Sequence, residues 1–127
     1  MKKLLTITAI VESATGLGLL VTPGVLSRLL LGATLDAPAA LTVARVAGAA
    51  LLTLGVACWG SRHHGRALVG ALLFYNVAAT AVLAHGAFGL ALSGLGLWPA
   101  IGLHTALAGW CAAVLNSTRL HPQTINQ

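Results

Sequence analysis

This chain is short of acid. Among its 127 residues only Glu12 and Asp36 carry a side-chain carboxylate, against seven Lys and Arg, and charged residues of both signs make up 7% of the whole. There are no paired carboxylates, no Ser-His-Asp logic and no GxSxG turn, so ordinary hydrolytic catalysis has no residues to run on. A glycine-rich phosphate loop is missing too, and aromatic residues are only 5% of the chain. A pI near 10.3 therefore does not point to nucleic acid: the basic residues sit at the ends of apolar runs rather than along one aromatic-interleaved face. Cysteine is scarce as well. Cys58 and Cys111 are too far apart in sequence to form a metal motif, and no metal set is expected.

What the chain has instead is four long apolar runs. Hydrophobic residues make up 57% of it and mean hydropathy is +0.91. A bilayer's hydrocarbon core of about 30 Å takes ~20 helical residues, so each run is long enough to cross it. Nothing is left over for a soluble domain beside four such helices. The expected fold is all-α, an integral membrane four-helix bundle formed by residues 1–127 as one domain. Lys2 and Lys3 before an apolar stretch resemble a secretory signal. The stretch is longer than a signal core of ~7 to 15 residues, however, and no convincing small-x-small site follows, so it reads as the first membrane helix.

Breakers place the helices. Thr22-Pro23-Gly24 ends the first, predicted over residues 4–21, because proline cannot continue a regular helix. Residues 25–32 carry Leu26, Leu29, Leu30 and Leu31 around Arg28, which suits a short helix at the membrane surface. Asp36 reads as the N-cap of the second spanning helix, residues 38–60, with Pro38 in its first turn. The basic linker Ser61 to Arg66, which holds His63 and His64, leads to the third helix over 67–87. A glycine-rich apolar stretch from Gly86 to Gly96 reads as a frayed end or an interfacial turn. The fourth helix covers 97–115, opened by Trp98-Pro99, and residues 116–127 form a polar tail.

Lys2, Lys3, Arg62, Arg66 and Arg119 fall on one side of this threading, and Arg28 and Arg45 near the other. The positive-inside rule then puts both termini in the cytoplasm. It also puts both cysteines near the cytoplasmic ends of their helices, where thiols stay reduced and no disulfide is expected. Trp59, Trp98 and Trp110 fall near helix ends, as in an aromatic belt. Ala44 with Gly48, and Thr105, Gly109 and Ala113, repeat every fourth position, the spacing that lets membrane helices approach closely within one chain or across a dimer.

The polar residues inside the apolar runs are the functional candidates. Glu12 lies about eight residues into the first helix, ~12 Å from its cytoplasmic end at 1.5 Å per residue. A charge near mid-membrane costs ~3 kcal/mol or more, and such groups are usually paired, neutralised or functional. Arg45 on the second helix is placed either to snorkel outward or to reach Glu12. Asn76 on the third and His104 on the fourth complete a set of one polar group per helix. The candidate ligand or ion-pair site is Glu12, Arg45, Asn76 and His104, with Thr8, Thr15, Thr42, Tyr75 and His85 as lesser members. Thr8, Glu12 and Thr15 share one helix face, as do Thr42 and Arg45. The competing structural reading is a Glu12–Arg45 pair with Asn76 and His104 fixing helix register. His85 and His104 invite comparison with two axial haem ligands, although no spacing motif or further ligand supports that.

The run Ala44-Arg45-Val46-Ala47-Gly48-Ala49-Ala50-Leu51-Leu52-Thr53-Leu54-Gly55, with an arginine early in the helix and two glycines seven apart, resembles small bacterial DoxX-like four-helix membrane proteins. Gly16-Leu17-Gly18-Leu19-Leu20-Val21-Thr22-Pro23 is similar too. The likeness covers the four-helix layout and mostly the first two helices, and Arg45 is the matching position. It implies a bacterial inner-membrane protein, and, since some members are subunits of quinone-linked oxidoreductases, a quinone or a membrane-complex partner. A glutamate early in the first helix of a chain this long also resembles the small multidrug transporters, which implies a homodimer in which Glu12 exchanges a proton for a cation.

Three readings follow. The first is a protein of binding or accessory type, without catalytic activity of its own, whose polar centre takes a quinone or lipid or docks a larger complex. The second is a proton-coupled transporter working as a homodimer through Glu12. The third is a redox subunit with haem between His85 and His104.

Overall fold

The computed structural model describes residues 1–62 and 65–117. His63 and His64, and Arg119 with most of the polar tail, lie outside them. Five helices are present among the described residues: α1 Lys2–Val21, α2 Pro23–Leu31, α3 Pro38–Gly60, α4 Arg66–Gly89 and α5 Leu97–Ser117. All but α2 are long and apolar enough to cross a membrane. They lie within two residues of the four expected spans: α1 starts two residues earlier, α4 starts one earlier and ends two later, and α5 ends two later, while α2 starts two residues earlier, at the proline itself, and ends one earlier.

Local chemistry sets these boundaries. α1 stops where Pro23 takes the next helix's first position, and both the amide and the hydroxyl of Thr22 turn back to the Gly18 carbonyl (2.8 and 3.2 Å). α2 ends at Gly32, whose φ of 72° is the left-handed conformation that glycine adopts without a Cβ clash. The cap of α3 differs from expectation. Pro38 at the start of the helix makes Ala37, in an extended conformation, the N-cap, and Asp36 accepts a hydrogen bond from Thr34 Oγ1 (2.9 Å) instead.

The long helices pair as α1 with α3 and α4 with α5. The first pairing is a crossing of backbones. A Cβ placed on Gly16 would lie 2.6 Å from the Gly48 carbonyl oxygen, and one on Gly48 would lie 2.7 Å from the Gly16 oxygen. Further along, Gly55 meets Ala9 and Ser13. Small residues matter here because hydrocarbon gives helices no hydrophobic reason to associate, so close packing must do it. Gly109, by contrast, has no atom near the position of a Cβ and faces outward.

Between the two pairs lies a core of Leu4, Leu5, Ala9, Cys58, Val69, Leu72, Leu107 and Cys111, gathering the beginnings of α1 and α4 with the ends of α3 and α5. Both cysteines are buried and free. At the opposite end the glycine-rich linker, expected as a frayed end or turn, docks on α2. Gly96 donates to the Leu29 carbonyl (2.8 Å), and Gly94 lies so close to Leu30 and Gly32 that a Cβ would overlap their backbone. Ala91 turns this linker with a φ of 53°.

The outer surface is apolar. Val43, Val46, Val56, Phe74, Val82 and Phe88 are each at least 65% exposed, which suits hydrocarbon and not water. Near the helix ends, the Arg62 guanidinium stacks over Trp59 (3.8 Å) and Trp98 meets Phe88 edge-on.

Candidate functional site

Glu12 is 1% exposed in the middle of α1, on the face turned toward the α4–α5 pair. Its Oε2 accepts a hydrogen bond from the Tyr75 hydroxyl (3.1 Å) on α4. Among the described residues its Oε1 has no partner, and neither has the Oγ1 of Thr8, which is fully buried one turn away on the same face of α1. An unmade hydrogen bond on a buried polar atom costs ~1–3 kcal/mol, so two together are a standing expense in a domain this small.

The neighbouring residue on α4 builds the other half of the array. Asn76 is fully buried, and its Nδ2 donates to the Leu72 carbonyl (2.8 Å) within α4. That bond orients the amide so that Oδ1 is the atom facing His104 Nδ1 on α5, at 2.8 Å. An amide oxygen can only accept, so Nδ1 carries the proton and, in the neutral ring, Nε2 is left as an acceptor. Nε2 makes no hydrogen bond among the described residues. The His104 ring meets Tyr75 edge-on (centroids 5.6 Å apart, planes at 83°), which joins the two halves into one cluster. Thr80 Oγ1 donates to the Asn76 carbonyl (2.8 Å) and lies 3.5 Å from Thr105 Oγ1, extending the polar seam between α4 and α5.

The structure thus brings together Glu12, Tyr75, Asn76, His104 and Thr8, from α1, α4 and α5. It leaves Arg45 elsewhere. Arg45 is exposed on α3 and has neither a carboxylate nor a hydrogen-bond partner among the described residues. The register of the α1–α3 crossing explains the separation. Gly55 sits against Ser13, next to Glu12, and Arg45 is ten residues back along α3, ~15 Å at 1.5 Å per residue and beyond the reach of a side chain. The structural alternative of a Glu12–Arg45 pair is therefore absent. His104 sits level with Asn76, to which it is bonded.

Of the lesser candidates, Thr42 is exposed and bonds the Pro38 carbonyl (2.9 Å), which occupies its hydroxyl within α3. Thr15 is half-buried, without a side-chain hydrogen bond among the described residues. His85 is exposed in the last turns of α4, its ring lying over Gly89, and it does not meet His104. No group of three His, Cys, Asp or Glu side chains stands close enough to hold a metal ion among the described residues. Thr80 escaped the sequence reading; its place one turn after Asn76 was the available signal.

A groove of about 260 Å³ opens beside this cluster, on the outer side of the α1–α3 pair, lined by Ala9, Ile10, Ser13, Gly55, Val56 and Trp59. It is almost wholly apolar, and Glu12 does not line it. Comparison with protein-family models, curated proteins and solved structures finds no match to this chain.

Proposed function

We propose that this chain is a small multi-pass protein of the bacterial inner membrane, of binding or accessory type, whose polar cluster takes the head of an amphipathic ligand of the quinone class. The observation that carries this reading is the set of hydrogen-bonding atoms in one cluster left unused among the described residues: Glu12 Oε1, Thr8 Oγ1 and His104 Nε2. Thr8 offers a donor to a carbonyl oxygen, and His104 Nε2 offers an acceptor to a hydroxyl. A quinone presents the first and a quinol the second, each on an apolar body that hydrocarbon and the surrounding helix faces accept. The ligand enters laterally from lipid, between the two helix pairs. The charge bias of Lys2, Lys3, Arg62, Arg66 and Arg119 over Arg28 and Arg45 supports cytoplasmic termini. A larger membrane complex or a second copy of the chain is the natural partner for a protein of this size.

The test is saturable binding of a short-chain ubiquinone to the purified protein in lipid nanodiscs. Glu12→Gln and His104→Ala are expected to weaken it at least tenfold, and Thr42→Ala to leave it unchanged. Absence of saturable binding to the folded wild type would overturn the reading.

One observation favours a second reading, proton-coupled transport by a homodimer: among the described residues Glu12 has no cationic partner to neutralise it. Thr8 Oγ1 and His104 Nε2, which exchange of a proton for a cation at Glu12 does not use, rank it behind the first. Proton flux driven by a lipophilic cation in proteoliposomes, lost in Glu12→Gln, would reverse that order.

A further inference from the structure

We propose that Arg45 is the phosphate ligand of a phospholipid seated on the outer face of α3, a site separate from the polar cluster. The argument begins with charge. Arg45 lies seven residues inside a spanning helix, is exposed, and has no partner among the described residues. A guanidinium in hydrocarbon costs ~3 kcal/mol or more at the membrane centre and is retained where an anion meets it. Neither side-chain carboxylate of this chain supplies that anion. Glu12 is 1% exposed and bound to Tyr75, ~15 Å away by the helix register, and Asp36 accepts from Thr34 in the loop before α3. A second copy offers the same two acids in the same two places, so a homodimer does not solve the problem at Arg45's depth.

Geometry selects the lipid headgroup. The 23 residues of α3 span ~35 Å, a little more than a ~30 Å hydrocarbon core, so with the helix centred the Arg45 backbone lies ~8 Å below the nearer edge. Side chains on a helix lean toward its N-terminus, which for Arg45 is the Pro38 end and that same edge. An extended arginine therefore carries its head to the phosphate level by following its ordinary direction. A guanidinium also matches phosphate in two-pronged fashion. The neighbouring face is built for acyl chains: Val46 is 65% exposed, Ala49 is exposed, and Thr42 and Thr53 on the same side hide their hydroxyls by bonding the Pro38 and Ala49 carbonyls (2.9 and 2.8 Å).

The experiment is native mass spectrometry of the full chain released from nanodiscs of phosphatidylglycerol, with far-UV circular dichroism to confirm equal helicity. The wild type is expected to retain a phospholipid that Arg45→Gln loses at least tenfold and Arg45→Lys keeps in part. Equal retention by wild type and Arg45→Gln would overturn the proposal. If Arg45→Gln fails to fold, the wild type alone decides: it should retain phosphatidylglycerol over a galactolipid of the same chains, and equal retention of the two would overturn the site. A cross-link from Arg45 to an acidic residue of another membrane protein, in place of lipid, would overturn it as well.

Discussion

Replacing Gly48 with alanine adds one methyl group where α1 and α3 touch backbone to backbone. The new Cβ would lie 2.7 Å from the Gly16 carbonyl oxygen, and 2.9 Å from both the Leu20 nitrogen and the Leu19 Cβ. Two of those three atoms are backbone, so no rotamer change relieves the contact and the helices must separate. Overpacking of this kind costs ~1–3 kcal/mol, with the upper end expected when backbone is the obstacle. Alanine regains ~1 kcal/mol over glycine within a helix, which leaves a net loss of about 2 kcal/mol. The same change at Gly102 or Gly109 meets nothing within 4 Å and should cost nothing or stabilise by up to ~1 kcal/mol. Reversible denaturation in mixed micelles, followed by far-UV circular dichroism, reads both. Equal effects at Gly48 and Gly109 would refute the crossing, because in the structure one position is closed and the other open.

Two further outcomes follow from local geometry. Tyr75→Phe removes the one hydrogen bond that the Glu12 side chain receives among the described residues and leaves a buried carboxyl with neither oxygen partnered there, so it should lose ~1–3 kcal/mol in the same denaturation assay; a gain would show that the bond contributes nothing. Gly32→Ala forces a side chain into the left-handed region at φ 72°, with the Gly94 nitrogen 2.9 Å from the new Cβ, and should cost at least ~1–2 kcal/mol, whereas Gly24→Ala, with open space around it, should not.

The four spans are legible in the sequence because hydrophobic length is a one-dimensional property, and Pro23, Pro38 and the basic linker punctuate it. The rotation and axial register of each helix are not one-dimensional. Arg45 and Glu12 look reachable when depth is counted from helix ends, yet the Gly16–Gly48 contact sets α3 so that ten residues separate Arg45 from Glu12's level and its side chain leaves the bundle. Tyr75 is the converse. It reads as a lesser residue beside Asn76, and the rotation of α4 makes it Glu12's hydrogen-bond donor while Asn76 turns to α5. The docking of the 90–96 linker on α2 rests on Gly94 and Gly96 meeting backbone far away in the chain, which local composition does not encode. Asp36 lost the cap of α3 to the geometry that Pro38 imposes one residue later.

The central claim is that Glu12 stands at a ligand site rather than serving only as packing glue. The most direct measurement is an infrared difference spectrum of the protein in nanodiscs before and after adding the short-chain quinone, with the Glu12 carboxyl band assigned by its loss in Glu12→Gln. That band is expected to shift on ligand addition, since Oε1 is the carboxyl oxygen left without a partner among the described residues. A quinone that binds saturably while the Glu12 band stays unmoved would contradict it.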